Sequence, residues 1–203
     1  MKLRQLEMAL EGLEGFSVPS PALEQYRTPA VLAARLLHHA WSRGNIEGKA
    51  ILDLGCGTGI LACGAMLLSA RSAVGVDLDI AALATAEENA RRLGVTVTLI
   101  PADITNHGAI GAAGPFDTVV MNPPFGAQKA HADRPFIDAS LALAPVVYGI
   151  FNAGSRQFLA QYISGRAEIT EMVEARLPLR RTFRFHRDEV REISVEIARM
   201  VRL

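Results

Sequence analysis

The chain has 203 residues, half of them apolar and 21% charged, with 21 basic and 21 acidic side chains. That is enough chain for one domain with a sizeable core, and too much apolar content for a disordered polymer. No apolar run reaches the roughly 18 residues of a membrane span, and the start Met1-Lys2-Leu3-Arg4 lacks the apolar core of a secretory leader. Cys56 and Cys63 stand seven positions apart with no histidine at ligand spacing, so neither a disulfide scaffold nor a zinc site is expected. The expected setting is reducing and cytoplasmic.

In chain order, Leu3, Leu6, Leu10 and Leu13 recur at helical spacing over residues 2–14. Val18-Pro19-Ser20-Pro21 breaks that pattern. Thr28-Pro29 then opens a second helix to about Trp41, with Thr28 as N-cap and Pro29 as first helical residue. From residue 49 the texture changes. Ala50–Leu54, Ala73–Asp77, Val95–Ile100, Phe116–Met121 and Val146–Phe151 read as strands, separated by helical stretches such as Ile60–Ala70 and Ile80–Leu93. Strands alternating with helices imply a parallel sheet covered on both faces. Near the end, Ile193, Val195, Ile197 and Val201 follow a period of two and, with Ile169–Leu177, suggest an antiparallel hairpin. The expectation is a single domain over 1–203, with N-terminal helices in 1–48 packed on a core of 49–203.

Asp53-Leu54-Gly55-Cys56-Gly57-Thr58-Gly59 lies where the first strand meets its helix. Glycines there let backbone amides approach a ligand without an intervening Cβ. The spacing is Gly-x-Gly-x-Gly rather than the Gly-x-Gly-x-x-Gly of dinucleotide enzymes. Asp77 ends the second strand, 22 residues past Gly55, where a carboxylate can accept from both hydroxyls of a ribose. Asp103 ends the third strand, placed to accept from an adenine amino group, and Leu78 and Ile104 would wall the ring. Asp79 fits simple N-capping of the next helix. Together these residues resemble the class I (Rossmann-like) methyltransferases. The resemblance implies S-adenosylmethionine held by Asp53, Gly55, Gly57, Gly59, Asp77, Leu78, Asp103 and Ile104, on a seven-stranded, mostly parallel sheet.

The fourth strand runs into Asn122-Pro123-Pro124-Phe125-Gly126. Two prolines fix φ and supply no amide hydrogen, leaving the Pro123 carbonyl rigid and free to accept. With Asn122 Oδ1 close by and Phe125 as a flat face, the turn suits an exocyclic amine on a planar ring. Two acceptors on the two amine hydrogens would favour a pyramidal nitrogen and release its lone pair for methyl transfer, with no general base required. The tetrapeptide resembles that of amino-methyltransferases acting on adenine N6, guanine N2 or glutamine amide.

Gln25-Tyr26-Arg27-Thr28-Pro29, Asn122–Gly126 and Phe183-Arg184-Phe185-His186 occur in one order along the chain. That arrangement resembles the methyltransferase-like protein 5 family of archaea and eukaryotes. Its eukaryotic members methylate adenine N6 in small-subunit ribosomal RNA with a small zinc-binding activator subunit. The resemblance implies that Gln25, Tyr26, Thr28 and Asn122 join the cofactor site, and that Phe183 to His186 lie near the RNA.

Net charge zero hides a gradient. Residues 176–203 carry eight arginines against four acids. Arg180, Arg181, Arg184 and Arg187 are interleaved with Phe183, Phe185 and His186, the residue types that meet phosphates and bases of single-stranded RNA. Asp188 and Glu189 follow, where resembling sequences continue basic. Finally, 95–100 is β-branched and uncharged, an edge on which a partner such as the zinc-binding subunit can add a strand. Guanine-N2 or glutamine-amide transfer, and a non-catalytic RNA-binding protein with a relic cofactor site, are the competing readings.

Overall fold

A computed structural model describes residues 1–21, 24–126, 131–180 and 190–203, with residues 176–180 and 190–193 described by their backbone alone. Seven strands form one sheet: β1 (Ala50–Leu54), β2 (Ser72–Asp77), β3 (Thr98–Pro101), β4 (Thr118–Met121), β5 (Val146–Asn152), β6 (Ala167–Arg180) and β7 (Val190–Arg202). Their order is β3-β2-β1-β4-β5-β7-β6. The first five run parallel, whereas β7 is antiparallel to both β5 and β6. The expected hairpin therefore exists and is longer than its apolar alternation suggests.

Alternation along the central strands sorts side chains into two cores. Ile51, Val120, Tyr148 and Ile150 face a cluster built with α1 (Leu3–Glu11), α2 (Ala30–Ser42) and α3 (Ile60–Leu67). Leu52, Leu54, Val119 and Met121 face the opposite cluster, covered by α5 (His107–Gly111), α6 (Arg134–Leu143) and α7 (Arg156–Tyr162). The sheet is thus sandwiched between helical layers, as the strand–helix alternation predicts.

The fourth strand starts at Thr118 rather than Phe116 and α3 ends at Leu67 rather than Ala70, and two further differences have a clear physical reason. The third strand starts at Thr98 rather than Val95, because Val95 and Val97 turn their side chains onto the first core before the chain reaches the sheet. At α2, Pro29 is the N-cap residue and no side chain caps the helix. Thr28 stands one residue before the cap, since the Pro29 carbonyl accepts the first helical bonds from Leu32 and Ala33. Its hydroxyl accepts instead from Asn122, more than ninety residues away in sequence.

The helix α4 (Ile80–Leu93) carries a fully buried amide, Asn89. Its Nδ2 donates to the carbonyls of Glu14 (3.0 Å) and Thr58 (2.9 Å), while its Oδ1 accepts from the Glu14 amide at 2.9 Å. One side chain therefore joins the segment after α1 to the glycine loop, with both ends of its amide satisfied. Asn89→Ala strands three backbone groups and should cost about 2–4 kcal/mol of unfolding free energy. A urea transition with an unshifted midpoint would refute that role.

Candidate active site

The carboxyl ends of β1, β2 and β4 surround a cavity of roughly 300 Å³, a size suited to a cofactor-scale ligand. Its floor is the glycine loop. Gly55, Gly57 and Gly59 all have φ in the left-handed region (69°, 52° and 80°), which explains glycine at this spacing. At Gly55 and Gly57 the reason is also one of space. A Cβ would stand 2.7 Å from the ring of Phe136 at the first and 2.7 Å from the ring of Phe16 at the second. Gly59 lies outside the cavity wall and sits instead against Ala86 of α4, a helix-packing contact.

Asp77 organises the loop from the next strand. Its Oδ2 accepts from the Gly57 amide at 2.8 Å and its Oδ1 from the Asp79 amide at 2.9 Å. The carboxylate still lines the cavity with Leu78 and Ile104 beside it, as the proposed ribose and ring walls require. Asp103 behaves differently. It is exposed and lies outside the cavity wall. Its Oδ1 accepts from the Thr105 amide and hydroxyl, bonds that hold its pKa below the ordinary carboxyl value. Asp79 caps α4 by accepting from Ala81, and its other oxygen accepts from Gln25 Nε2 at 2.7 Å.

Asp53 is the most perturbed acid of the cavity wall. It is 1% exposed, its Oδ2 accepts from the Ala62 amide at 2.9 Å, and its Oδ1 is buried without a partner. Burial in the apolar strand end pushes its pKa up to about 7, opposed by the Ala62 bond and reinforced by the charge of Asp77. An unpartnered buried acceptor facing a cavity is costly unless a ligand donor completes it.

The turn after β4 holds a second such atom. Asn122 Nδ2 donates to Thr28 Oγ1 at 2.9 Å, leaving Asn122 Oδ1 buried and unpartnered. Asn122 and Pro124 line the cavity; Pro123 is buried, and its carbonyl accepts no hydrogen bond among the described residues. Phe125 does not share that wall. Its half-buried ring packs on the core between the sheet and α1–α3, because the turn points it away from the cavity. The flat faces at the cavity belong instead to Phe16, Tyr26 and Phe136.

The segment between α1 and α2 forms the roof. Gln25 is 7% exposed, accepting from the Ser20 amide at 2.7 Å while donating to Asp79. Glu24, with a left-handed φ of 49°, accepts from the Gly126 amide at 3.1 Å. Arg27 donates to the carbonyls of Leu10 and Glu11, anchoring the segment to the end of α1. Gln25, Tyr26 and Thr28 all line the cavity, as the motif resemblance implies. Phe16, Phe136, Glu24 and Asn89 were not singled out by sequence. Phe136 lies at helical spacing like any core residue, and Phe16 sits in a proline-rich break. The side chains of Arg180, Arg181, Phe183, Arg184, Phe185, His186 and Arg187 lie outside the described residues.

The methyltransferase small domain model matches residues 31–145. Over 204 aligned residues the chain is 35% identical to the rRNA N(6)-adenosine-methyltransferase Mettl5 of Drosophila melanogaster, covering 98% of this chain and 96% of that one. It is 31% identical to the rRNA N(6)-adenosine-methyltransferase METTL5 of Danio rerio, covering 98% of both. Among solved structures, a candidate RNA methyltransferase from Pyrococcus horikoshii superposes with a TM-score of 0.90 at 35% identity, over 100% of this chain and 98% of that one. Matched over nearly their whole length to rRNA N(6)-adenosine-methyltransferases at 30% identity or more, the chain belongs to the methyltransferase-like protein 5 family.

Proposed function

We propose that this protein is an S-adenosylmethionine-dependent methyltransferase of adenine N6 in structured ribosomal RNA, and that the RNA is that of the small subunit. The observation that carries the reading is Asn122 Oδ1, an acceptor buried beside the cavity with no partner of its own. Full-length similarity to rRNA N(6)-adenosine-methyltransferases supports the same substrate class.

The residues present fit the cofactor. Asp53 Oδ1 is an unpartnered acceptor suited to an ammonium group, Asp77 lies at the ribose position, and Leu78 and Ile104 supply apolar walls. When bound, S-adenosylmethionine supplies a methyl group on a cationic sulfur. The protein's part is positional and electrostatic. Asn122 Oδ1 and the Pro123 carbonyl accept the two hydrogens of the target amine, which withdraws its nitrogen from ring conjugation and exposes its lone pair. Pro123 and Pro124 keep the acceptors from relaxing away, and Phe125 fixes the turn by packing beneath it. The adenine must leave its helix to reach this depth, so unpaired or deformed RNA is the expected substrate. Arg180, Arg181, Arg184 and Arg187 are assigned to phosphates, with Phe183, Phe185 and His186 to bases.

We also assign the β3 edge to the small zinc-binding activator. It is one of the two outer strands of the sheet, and Thr98, Leu99 and Ile100 carry no charge that would repel an added strand. Adding the activator should slow amide exchange across 98–100 by about tenfold or more. Unchanged exchange in a complex that still assembles would rule out strand addition there.

Asn122→Ala should reduce transfer to rRNA by about 10²–10³-fold while cofactor affinity stays within about threefold. Nucleoside analysis of the product should show N6-methyladenosine. N2-methylguanosine, or label in protein, would overturn the substrate assignment.

Asp53 predicts a pH dependence. A cationic ligand favours the carboxylate, so below pH 7 binding must expel a proton and cofactor affinity should fall by about tenfold per pH unit. Asp53→Asn should bind weakly with a flat profile; a flat wild-type profile between pH 8 and 6 counts against the assignment. Folding of the free protein responds in the opposite sense. Because the native pKa lies above the ordinary 3.8, the group's contribution is fully present below that value and lost as pH rises through about 7.

A further inference from the structure

The two ends of the Asn122 amide are chemically opposite, and only one of them can serve an amine donor. If Nδ2 faced the target, its hydrogens would oppose those of the amine. For Oδ1 to face the target, Nδ2 must be satisfied elsewhere, and Thr28 Oγ1 does this at 2.9 Å. Thr28 is 7% exposed, so water does not readily replace it. We infer that Thr28 is a positioning residue for methyl transfer, accepting from Asn122 Nδ2 so that Asn122 Oδ1 is presented to the target amine. This rests on the functional reading above and gives Thr28 a duty distinct from covering the cofactor.

Three observations converge on it. The hydroxyl is not spent on capping α2, the use its position before Pro29 suggests. Asn122 Oδ1 has no competing partner, so the orientation set at Nδ2 is transmitted to the cavity without loss. The same segment also holds the far end of the turn, through Glu24 Oε2 and the Gly126 amide. A hydroxyl can donate as well as accept, so Thr28 does not forbid the reversed amide. The amine does so from the other side, and the three groups form one chain of bonds running from amine to Oδ1 and from Nδ2 to Oγ1. Each link in such a chain polarises the next, which strengthens Oδ1 as an acceptor.

The test is single-turnover transfer to rRNA at saturating S-adenosylmethionine, with cofactor affinity measured by calorimetry. Thr28→Val keeps the volume and removes the acceptor, whereas Thr28→Ser keeps the acceptor. At saturating cofactor the valine variant should transfer about 10- to 100-fold more slowly with RNA KM within about threefold, whatever its cofactor affinity, and the serine variant should be close to wild type. Thr28→Ala, read the same way, guards against a packing fault in the valine protein. A valine variant with a normal rate at saturating cofactor overturns the proposal, whatever its cofactor affinity, and so does a serine variant as slow as valine. Asn122→Ala run in parallel separates the two claims. If it still transfers, the functional reading fails; if it is inactive while Thr28→Val is normal, only the role of Thr28 fails.

Discussion

A primary amide beside a reacting amine can help or hinder, depending on which atom it shows. In this protein a hydroxyl in the N-terminal segment, Thr28, takes the nitrogen of Asn122 and leaves the oxygen bare for the amine. Other contacts arrange themselves around that bond. Gln25 ties the segment to Asp79 at the start of α4, and Glu24 ties it to Gly126. Asn89 ties the stretch after α1 to Thr58 in the glycine loop. The roof over the cavity is thus bonded to both the cofactor loop and the target turn, so neither can shift without straining it.

The cavity keeps two oxygen acceptors unpaired, Asp53 Oδ1 and Asn122 Oδ1. In water such atoms would be solvated at no cost; inside a protein each is a penalty that persists until a donor arrives. A cationic amine at one and a neutral aromatic amine at the other would recover that penalty on binding. Burial prepares Asp53 for the first task by raising its pKa, so a positive charge placed beside it favours the ionised form. Asn122 cannot ionise, and it offers a dipole whose direction is fixed before the substrate comes.

Much of this was legible from sequence because it depends on local backbone chemistry. Glycine at 55, 57 and 59 reports left-handed φ values, and the doubled proline reports a stiff turn. Strands such as Ala50–Leu54 alternating with helices such as Ile80–Leu93 report a parallel sheet covered on two sides. Other residues misled for equally physical reasons. Thr28 before proline has every local attribute of a helix cap, yet the helix begins one residue later and its hydroxyl meets Asn122 at the end of β4. Phe125 follows the prolines as if to stack on a base, yet the turn points it at the core. Asp103 follows β3 much as Asp77 ends β2, but its Oδ1 is taken by Thr105 and it lies outside the cavity wall.

The sequence by itself determined the strand–helix order, the glycine floor and the proline-stiffened acceptor turn, because φ restriction and hydrophobic period are properties of neighbouring residues. Tertiary structure alone decided that Asn89 and Thr28 are bonding hubs, that Phe16 and Phe136 lie on the loop glycines, and that two oxygens are left bare. Those outcomes depend on distances between segments far apart in the chain, and no short-range pattern of side chains encodes them.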